Sequence, residues 1–402
     1  MKPELEFSTL DQPSSSVCEQ IERFSKATGI TVHIRTVPWA TGWTEMVSFA
    51  LHGHAPDVSH IGATWVSSLV AMNALRPFRR SEIEALGGET AFLPASWQST
   101  QSTAIPGTWA LPWTSYTFVI CYRRDLLAKA GVQEQQAFSS AANLDQTIQQ
   151  LINAGIPNPW LMRSGSRHVN TLHQIAAWVW GAGGDFVTAE ENPAFLRPQT
   201  IAGLKAYYQL GRFLTPETRG LEDEQVMNLF RQGQAAMIIT GVDQPYSYLR
   251  GNATPEVIEN LGVAPLPGIP WVGGDNLVIW RQTQDSPERE HAAVALASML
   301  AGHDMQRQFN FNFGGPTRLD AFPFLPYAGS PITTTIEQAL RKGRSHIPMK
   351  LWGRVENELT TALHSIWKQI FAGETEENAI LNVLTPLDRR MRLLLSTSIG
   401  RT

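Results

Sequence analysis

The sequence predicts an α/β protein assembled as two lobes. Three observations carry that expectation: strands alternate with helices along the first third of the chain, 402 residues suffice for more than one core, and no repeat, low-complexity stretch or long linker interrupts them. Alternation of this kind implies right-handed crossovers and a mainly parallel sheet.

The opening elements are the clearest. Leu5 to Leu10 is a short apolar strand, Ser14 to Ser16 can cap the amphipathic run Val17 to Ala27, and Gly29 can end that helix in the left-handed conformation. Thr31 to Trp39 is β-branched and bounded by Pro38, and a helix is expected from Trp43 to His52, stopping near Gly53. Pro56 to Ile61 reads as a strand and Thr64 to Ala74 as a helix. In parallel sheets ligands sit beyond the carboxyl ends of the strands, so Thr9 to Ser16, Trp39 to Trp43 and Gly62 to Trp65 are expected at one rim.

Farther along, two β-rich segments flank Pro112, and Arg124 to Gly131 begins a second helical region. Helices are expected over Ile148 to Ala154, Asn170 to Gly181 and Thr200 to Leu214. Phe230 to Gly241 reads as helix end, turn and buried strand. Gly262 to Pro270 is β-rich again, before a strand at Asn276 to Trp280 and a helix at Glu288 to Ala301. Leu359, Leu363, Ile366 and Ile370 form one apolar face of a late helix.

Composition excludes several classes. A net charge of −4 without a basic stripe argues against nucleic acid as partner. A 43% apolar and 17% charged composition is that of a folded protein. Cys18 and Cys121 lack redox or zinc spacing, so two free buried thiols are expected, with a disulfide between them as the open alternative. No stretch of about 18 apolar residues occurs, and the first residues carry no signal-like apolar run, as expected of a mature or trimmed chain.

Catalytic signatures are absent: no GxSxG elbow, P-loop, HExxH or GxGxxG. His52, His54 and His60 read as surface-loop histidines, Gly181 to Gly184 as a helix end and turn, and Arg389, Arg390 and Arg392 as a solvated helix face. No enzyme, metal or cofactor is expected. The composition is unusual in its 13 tryptophans, flat amphipathic rings that serve both cores and sugar sites.

Four stretches are more specific than the topology. Ala55 to Phe78, Trp109 to Gly131, Phe230 to Gly241 (with GQAAM) and Gly273 to Arg318 (with GGDNLVIW and a final GGPTR) span nearly the whole chain in order. Together they resemble the family 1 extracellular solute-binding proteins, the maltose-binding-protein-like receptors of ABC sugar importers. Asp243 departs from the pattern, standing where many relatives carry Trp.

The resemblance implies a two-lobed periplasmic-binding-protein-like (type II) clamshell, each lobe a mainly parallel sheet flanked by helices. The expected N-terminal lobe is 1–112 plus 271–315 and the C-terminal lobe 116–265 plus 318–402, with crossings near 112–116, 262–271 and 314–318. It implies a monomeric carbohydrate receptor that closes on a mono- or oligosaccharide in the interlobe cleft. Its partners would be the sugar and ABC permease subunits, in a periplasmic or extracellular setting.

A sugar offers apolar C–H faces and a rim of hydroxyls, which calls for aromatic plates and planar hydrogen-bonding groups. The ring candidates are Trp65, Trp113, Tyr116 and Trp178, followed by Trp43 and Trp271, with core packing the competing account for each. Asp11, Asp243, Asp275 and Arg318 are the polar candidates, and Gly273 and Gly274 would let backbone approach the ligand. Three rival readings stand beside this one: a sensory domain of the same fold, a glycoside-active enzyme using Asp243 and Asp275, and a binder of a non-sugar solute.

Overall fold

Ser14 caps the helix Ser15–Thr28 by accepting a hydrogen bond from the Val17 N–H, and Gly29 ends it at φ 70°. That helix joins the first two of nine strands in a computed structural model that describes residues 2–309, 311–312 and 314–399. The strands among the described residues are β1 (Glu4–Leu10), β2 (Thr31–Val37), β3 (Val58–Gly62), β4 (Leu75–Arg76), β5 (Leu111–Arg123), β6 (Met237–Gly241), β7 (Leu261–Pro265), β8 (Val272–Trp280) and β9 (Gly315–Pro316). The chain forms two compact units and passes between them after Tyr116, Trp271, Gly329, Gly343 and Gly353.

The first unit comprises Met1–Tyr116, Val272–Gly329 and Arg344–Gly353. Its strands run in the order β2-β1-β3-β8. The first three are mutually parallel, while β8 is antiparallel to β3 and β4 is antiparallel to β8. The side-chain period of two places Leu277 and Ile279 of β8 in a core with Phe7, Ile21, Trp113 and Leu296. Val278 and Trp280 enter a second core with Met46, Phe49 and Leu69. Burial on both faces explains why β8 reads as a nearly continuous apolar run. Asp57 is buried at the edge of this packing, held by the Arg289 guanidinium and accepting the Glu6 N–H at 2.9 Å.

The crossing expected near 314–318 lies inside this unit. Gly315 and Pro316 pair there as β9 with Ser115 and Thr114 of β5. Pro112 likewise does not divide its segment, because β5 runs unbroken from Leu111 to Arg123.

The second unit comprises Thr117–Trp271, Ser330–Gly343 and Arg354–Thr402. Here the expected mainly parallel sheet gives way to antiparallel pairs, with β6 and β7 flanking β5 on either side. The chain from β6 returns through the helices Asp243–Leu249 and Pro255–Glu259 to lay β7 along the far edge of β5. One parallel bridge, Leu161 to Ile238, extends the pairing.

The helix Val169–Gly181 is buried from Thr171 through Trp180, so no face of it is solvated. Two glycines let backbone approach it. A Cβ on Gly203 would lie 2.5 Å from Val179 Cα, and one on Gly268, at φ 115°, would lie 2.1 Å from the Ala177 carbonyl oxygen. Gly181 to Gly184 is a helix end followed by a turn.

Candidate functional site

Because β1, β2 and β3 are parallel, their carboxyl ends open onto one edge of the first unit. Asp11 follows β1 in the left-handed region at φ 54°, a conformation tolerated best by Asp, Asn and Gly. Its N–H donates to the Val37 carbonyl at 2.9 Å, and its Oδ1 accepts the Trp39 N–H at 3.0 Å. Pro38 offers the helix Trp39–His52 no side-chain cap. Asp11 thus satisfies one of the free N–H groups at that helix start from a different strand end.

The same edge gathers three indoles. Trp39 stacks on Trp65 with ring centroids 5.4 Å apart and planes at 30°, and Trp43 leans on Trp65 at 5.7 Å and 56°. Two glycines make room beneath: a Cβ on Gly42 would meet Trp65 Cη2 at 3.1 Å, and one on Gly62 would meet Trp65 Cε2 at 3.2 Å. Trp43 and Trp65 are half-buried against the second core, while Trp39 keeps 49% of its surface in solvent. The result is an indole slab with one open face beside a carboxylate, suited to the C–H face and hydroxyl rim of a polyol.

A second carboxylate reaches this edge from β8. Asp275 is the register partner of Gly62. Its Oδ2 accepts a hydrogen bond from Thr114 Oγ1 at 2.7 Å and lies 3.2 Å from His60 Nε2. Gly273 and Gly274 beside it are half-buried. Gly274 sits at φ 129°, and a Cβ there would lie 2.1 Å from the Thr114 carbonyl oxygen, so its lack of a side chain serves strand packing. Tyr116, farther along β5, is half-buried.

In the second unit Trp271 lies flat on His173, with centroids 3.8 Å apart and planes 5° from parallel. Thr117 Oγ1 donates to the Trp271 carbonyl. Burial, with a smaller contribution from the charge of His168, pushes His173 down to about 3, so it is neutral at physiological pH. Asp243 is half-buried at the first turn of the helix Asp243–Leu249, accepting from Gln244 Nε2 at 2.6 Å.

Four expected site residues are placed elsewhere than sequence reasoning put them. Trp113 is 0% exposed, edge-on to Phe7, His60 and Phe309, and belongs to the core. Trp178 is 3% exposed and packs edge-to-face on Tyr207 at 5.1 Å, because the whole of its helix is enclosed. Trp271 is 8% exposed, its face taken by His173. Arg318 is buried over the Phe92 ring, donating to Asp320 and to the Leu86 carbonyl, which commits its guanidinium to the fold. Conversely, Trp39, His60 and His173 were missed. His60 is buried on β3, not in a surface loop, whereas His52 and His54 are exposed.

The sequence profile of the bacterial extracellular solute-binding proteins matches residues 10–307. The chain belongs to that family. It is 23% identical to a binding protein of Brucella abortus (strain 2308), over 88% of this chain and 84% of the relative. Among solved structures it resembles the sugar-binding protein MalE of Xanthomonas citri, with a TM-score of 0.83, 19% identity and 98% coverage of both chains. It also resembles maltose-bound MalE3 of T. maritima, with a TM-score of 0.77, 21% identity and coverage of 98% and 100%. At these identities the structures establish the fold.

Members of this family are binding proteins rather than enzymes. In this solute-binding protein no group of three or more His, Cys, Asp or Glu is arranged to hold a metal ion among the described residues. No helix among them is long and apolar enough to cross a membrane. Cys18 and Cys121 are both free thiols, the first half-buried and the second fully buried.

Proposed function

We propose that this solute-binding protein is the carbohydrate receptor of an ABC importer, operating as a monomer in the periplasm or outside the cell and handing its sugar to permease subunits. One observation carries the reading: the open indole of Trp39, backed by Trp65 and Trp43, lies at the same strand-end edge as Asp11 and Asp275. The indole plate suits the apolar face of a pyranose or furanose ring, and the carboxylates suit its hydroxyls. Two proteins of similar structure, a sugar-binding MalE and a maltose-bound MalE3, support the same substrate class. Tyr116 and Gly273, in the same unit, are the remaining contacts proposed.

A thermal-shift screen over mono-, di- and oligosaccharides tests this. A ligand held by the native state alone raises the melting temperature by mass action. The expected outcome is a saturable rise with at least one sugar and no change in that sugar after prolonged incubation. A sugar consumed during the incubation favours the enzymatic reading. A panel without any shift, set against a shift with a polyamine or phosphate ester, favours a different solute.

A further inference from the structure

We propose that His60 is a positioning residue, fixing Asp275 so that one carboxylate oxygen is committed to the fold while the other is presented to a ligand hydroxyl. The proposal rests on the carbohydrate reading of the first unit's edge and assigns a role to a buried histidine that the reading itself leaves idle.

The tautomer follows from the hydrogen bonds. The Leu10 N–H, which can only donate, lies 3.2 Å from His60 Nδ1, so that nitrogen carries the lone pair. Thr9 Oγ1 lies 3.1 Å from the same atom. The ring proton therefore sits on Nε2, which lies 3.2 Å from Asp275 Oδ2, a close polar contact that is not aligned as a hydrogen bond. Thr114 Oγ1 donates to that same oxygen at 2.7 Å. Trp113 packs edge-on against the imidazole, with centroids 4.7 Å apart and planes at 75°, and both side chains are buried. The tryptophan expected to stack on sugar thus holds the histidine instead.

Asp275 keeps 18% of its side chain exposed. Its Oδ1 accepts no hydrogen bond among the described residues. A carboxylate engaged at one oxygen by Thr114 and open at the other is a directional acceptor, selecting neutral hydroxylated ligands over anions. The register pair with Gly62 puts it next to the strand end under the Trp65 indole. The plate and the acceptor would then meet two features of one sugar ring.

Two measurements on the full-length protein test the assignment. Imidazole ¹⁵N spectra of the ligand-free protein at neutral pH are expected to show His60 as the Nε2–H tautomer. An Nδ1–H tautomer, or an imidazolium, overturns the positioning role without touching the carbohydrate reading. Calorimetric titration uses glucose, maltose and xylose as probes. Asp275→Asn and His60→Asn are expected to weaken binding about tenfold, as the loss of a charge-assisted hydrogen bond does.

His60→Gln, whose amide can reach Asp275, is expected to stay within about threefold of wild type. Thr114→Val removes the other donor without altering His60, and is expected to match His60→Asn even if the histidine variants fold poorly. Unchanged affinity in His60→Asn and Thr114→Val alongside a loss in Asp275→Asn overturns the positioning. Failure of these three probes and of every sugar in the thermal-shift panel to bind wild type overturns the carbohydrate reading and the ligand half of the proposal together.

Discussion

The indole of Trp39 stacks on that of Trp65 with centroids 5.4 Å apart, although Trp39 opens the helix after β2 and Trp65 closes the 3-10 turn after β3. The contact depends on what is missing below it. Gly42 and Gly62 leave space that any side chain would fill, since a Cβ at either position would stand within 3.2 Å of a Trp65 ring carbon.

Gly62→Ala should therefore disturb the slab without unfolding the unit. Gly62 has ordinary backbone angles, φ −60° and ψ 137°, so alanine meets no conformational penalty there. The added methyl displaces Trp65 by a few tenths of an ångström. The near-ultraviolet circular dichroism of the tryptophans should change and affinity for the sugar identified by screening should fall severalfold, with a melting temperature near wild type.

Trp113→Ala should behave in the opposite way. The side chain is wholly enclosed by Phe7, His60 and Phe309, and truncating a buried tryptophan costs about 3–5 kcal/mol. Denaturant unfolding should show a loss of that order in the ligand-free protein. A variant as stable as wild type would place the ring outside the core.

Gly268→Ala should destabilise the second unit by more than about 2 kcal/mol. Its φ of 115° suits glycine, and a methyl there would lie 2.1 Å from the Ala177 carbonyl oxygen, which is backbone and cannot yield. The same unfolding measurement checks it.

Burial holds His173 near 3 in the folded protein, against 6.5 for an unperturbed imidazole. The unfolded chain binds a proton more readily than the folded one between those values, so protonation favours unfolding. The contribution of a neutral His173 is complete above pH 6.5 and is lost progressively as pH falls toward 3, by up to about 1.4 kcal/mol per unit. Urea midpoints across that window should drop, and His173→Phe should flatten the slope.

The two cysteines should differ in reactivity. Burial pushes the Cys121 thiol far above its usual range, with a further push from the charge of Asp243, and no solvent reaches it. A disulfide-exchange reagent should label half-buried Cys18 first and Cys121 only upon unfolding. Equal rates in the native state would contradict this.

Much of the first unit was legible because its signals are local. The Ser14 cap, the apolar spacing of Val17, Ile21 and Phe24, and Gly29 mark one helix almost to the residue, and strand alternation fixed which loops share an edge. Trp39 was missed as a ring because Pro38 reads as the end of a strand. The proline in fact opens a helix, making Trp39 its first residue and turning its indole outward. His60 was grouped with the exposed histidines of HGHAPDVSH although Pro56 to Ile61 reads as a strand; what the sequence does not show is that every residue of that strand is buried.

Choosing among 13 tryptophans was beyond periodicity. Trp178 and Trp180 should face different ways on a solvated helix, but theirs is enclosed on all sides and buries both. The pairing of Asp275 with Gly62, and of its carboxylate with His60, joins residues more than two hundred positions apart. Only antiparallel register supplies it.

Calorimetric titration of wild type and Trp39→Ala with the sugar found by thermal shift is the most direct measurement. Trp39 is half in solvent and contributes little to the core, so its removal should leave the fold intact while weakening binding at least about tenfold, the scale of losing an aromatic plate. An affinity unchanged from wild type, in a variant that melts normally, would contradict carbohydrate recognition at this edge.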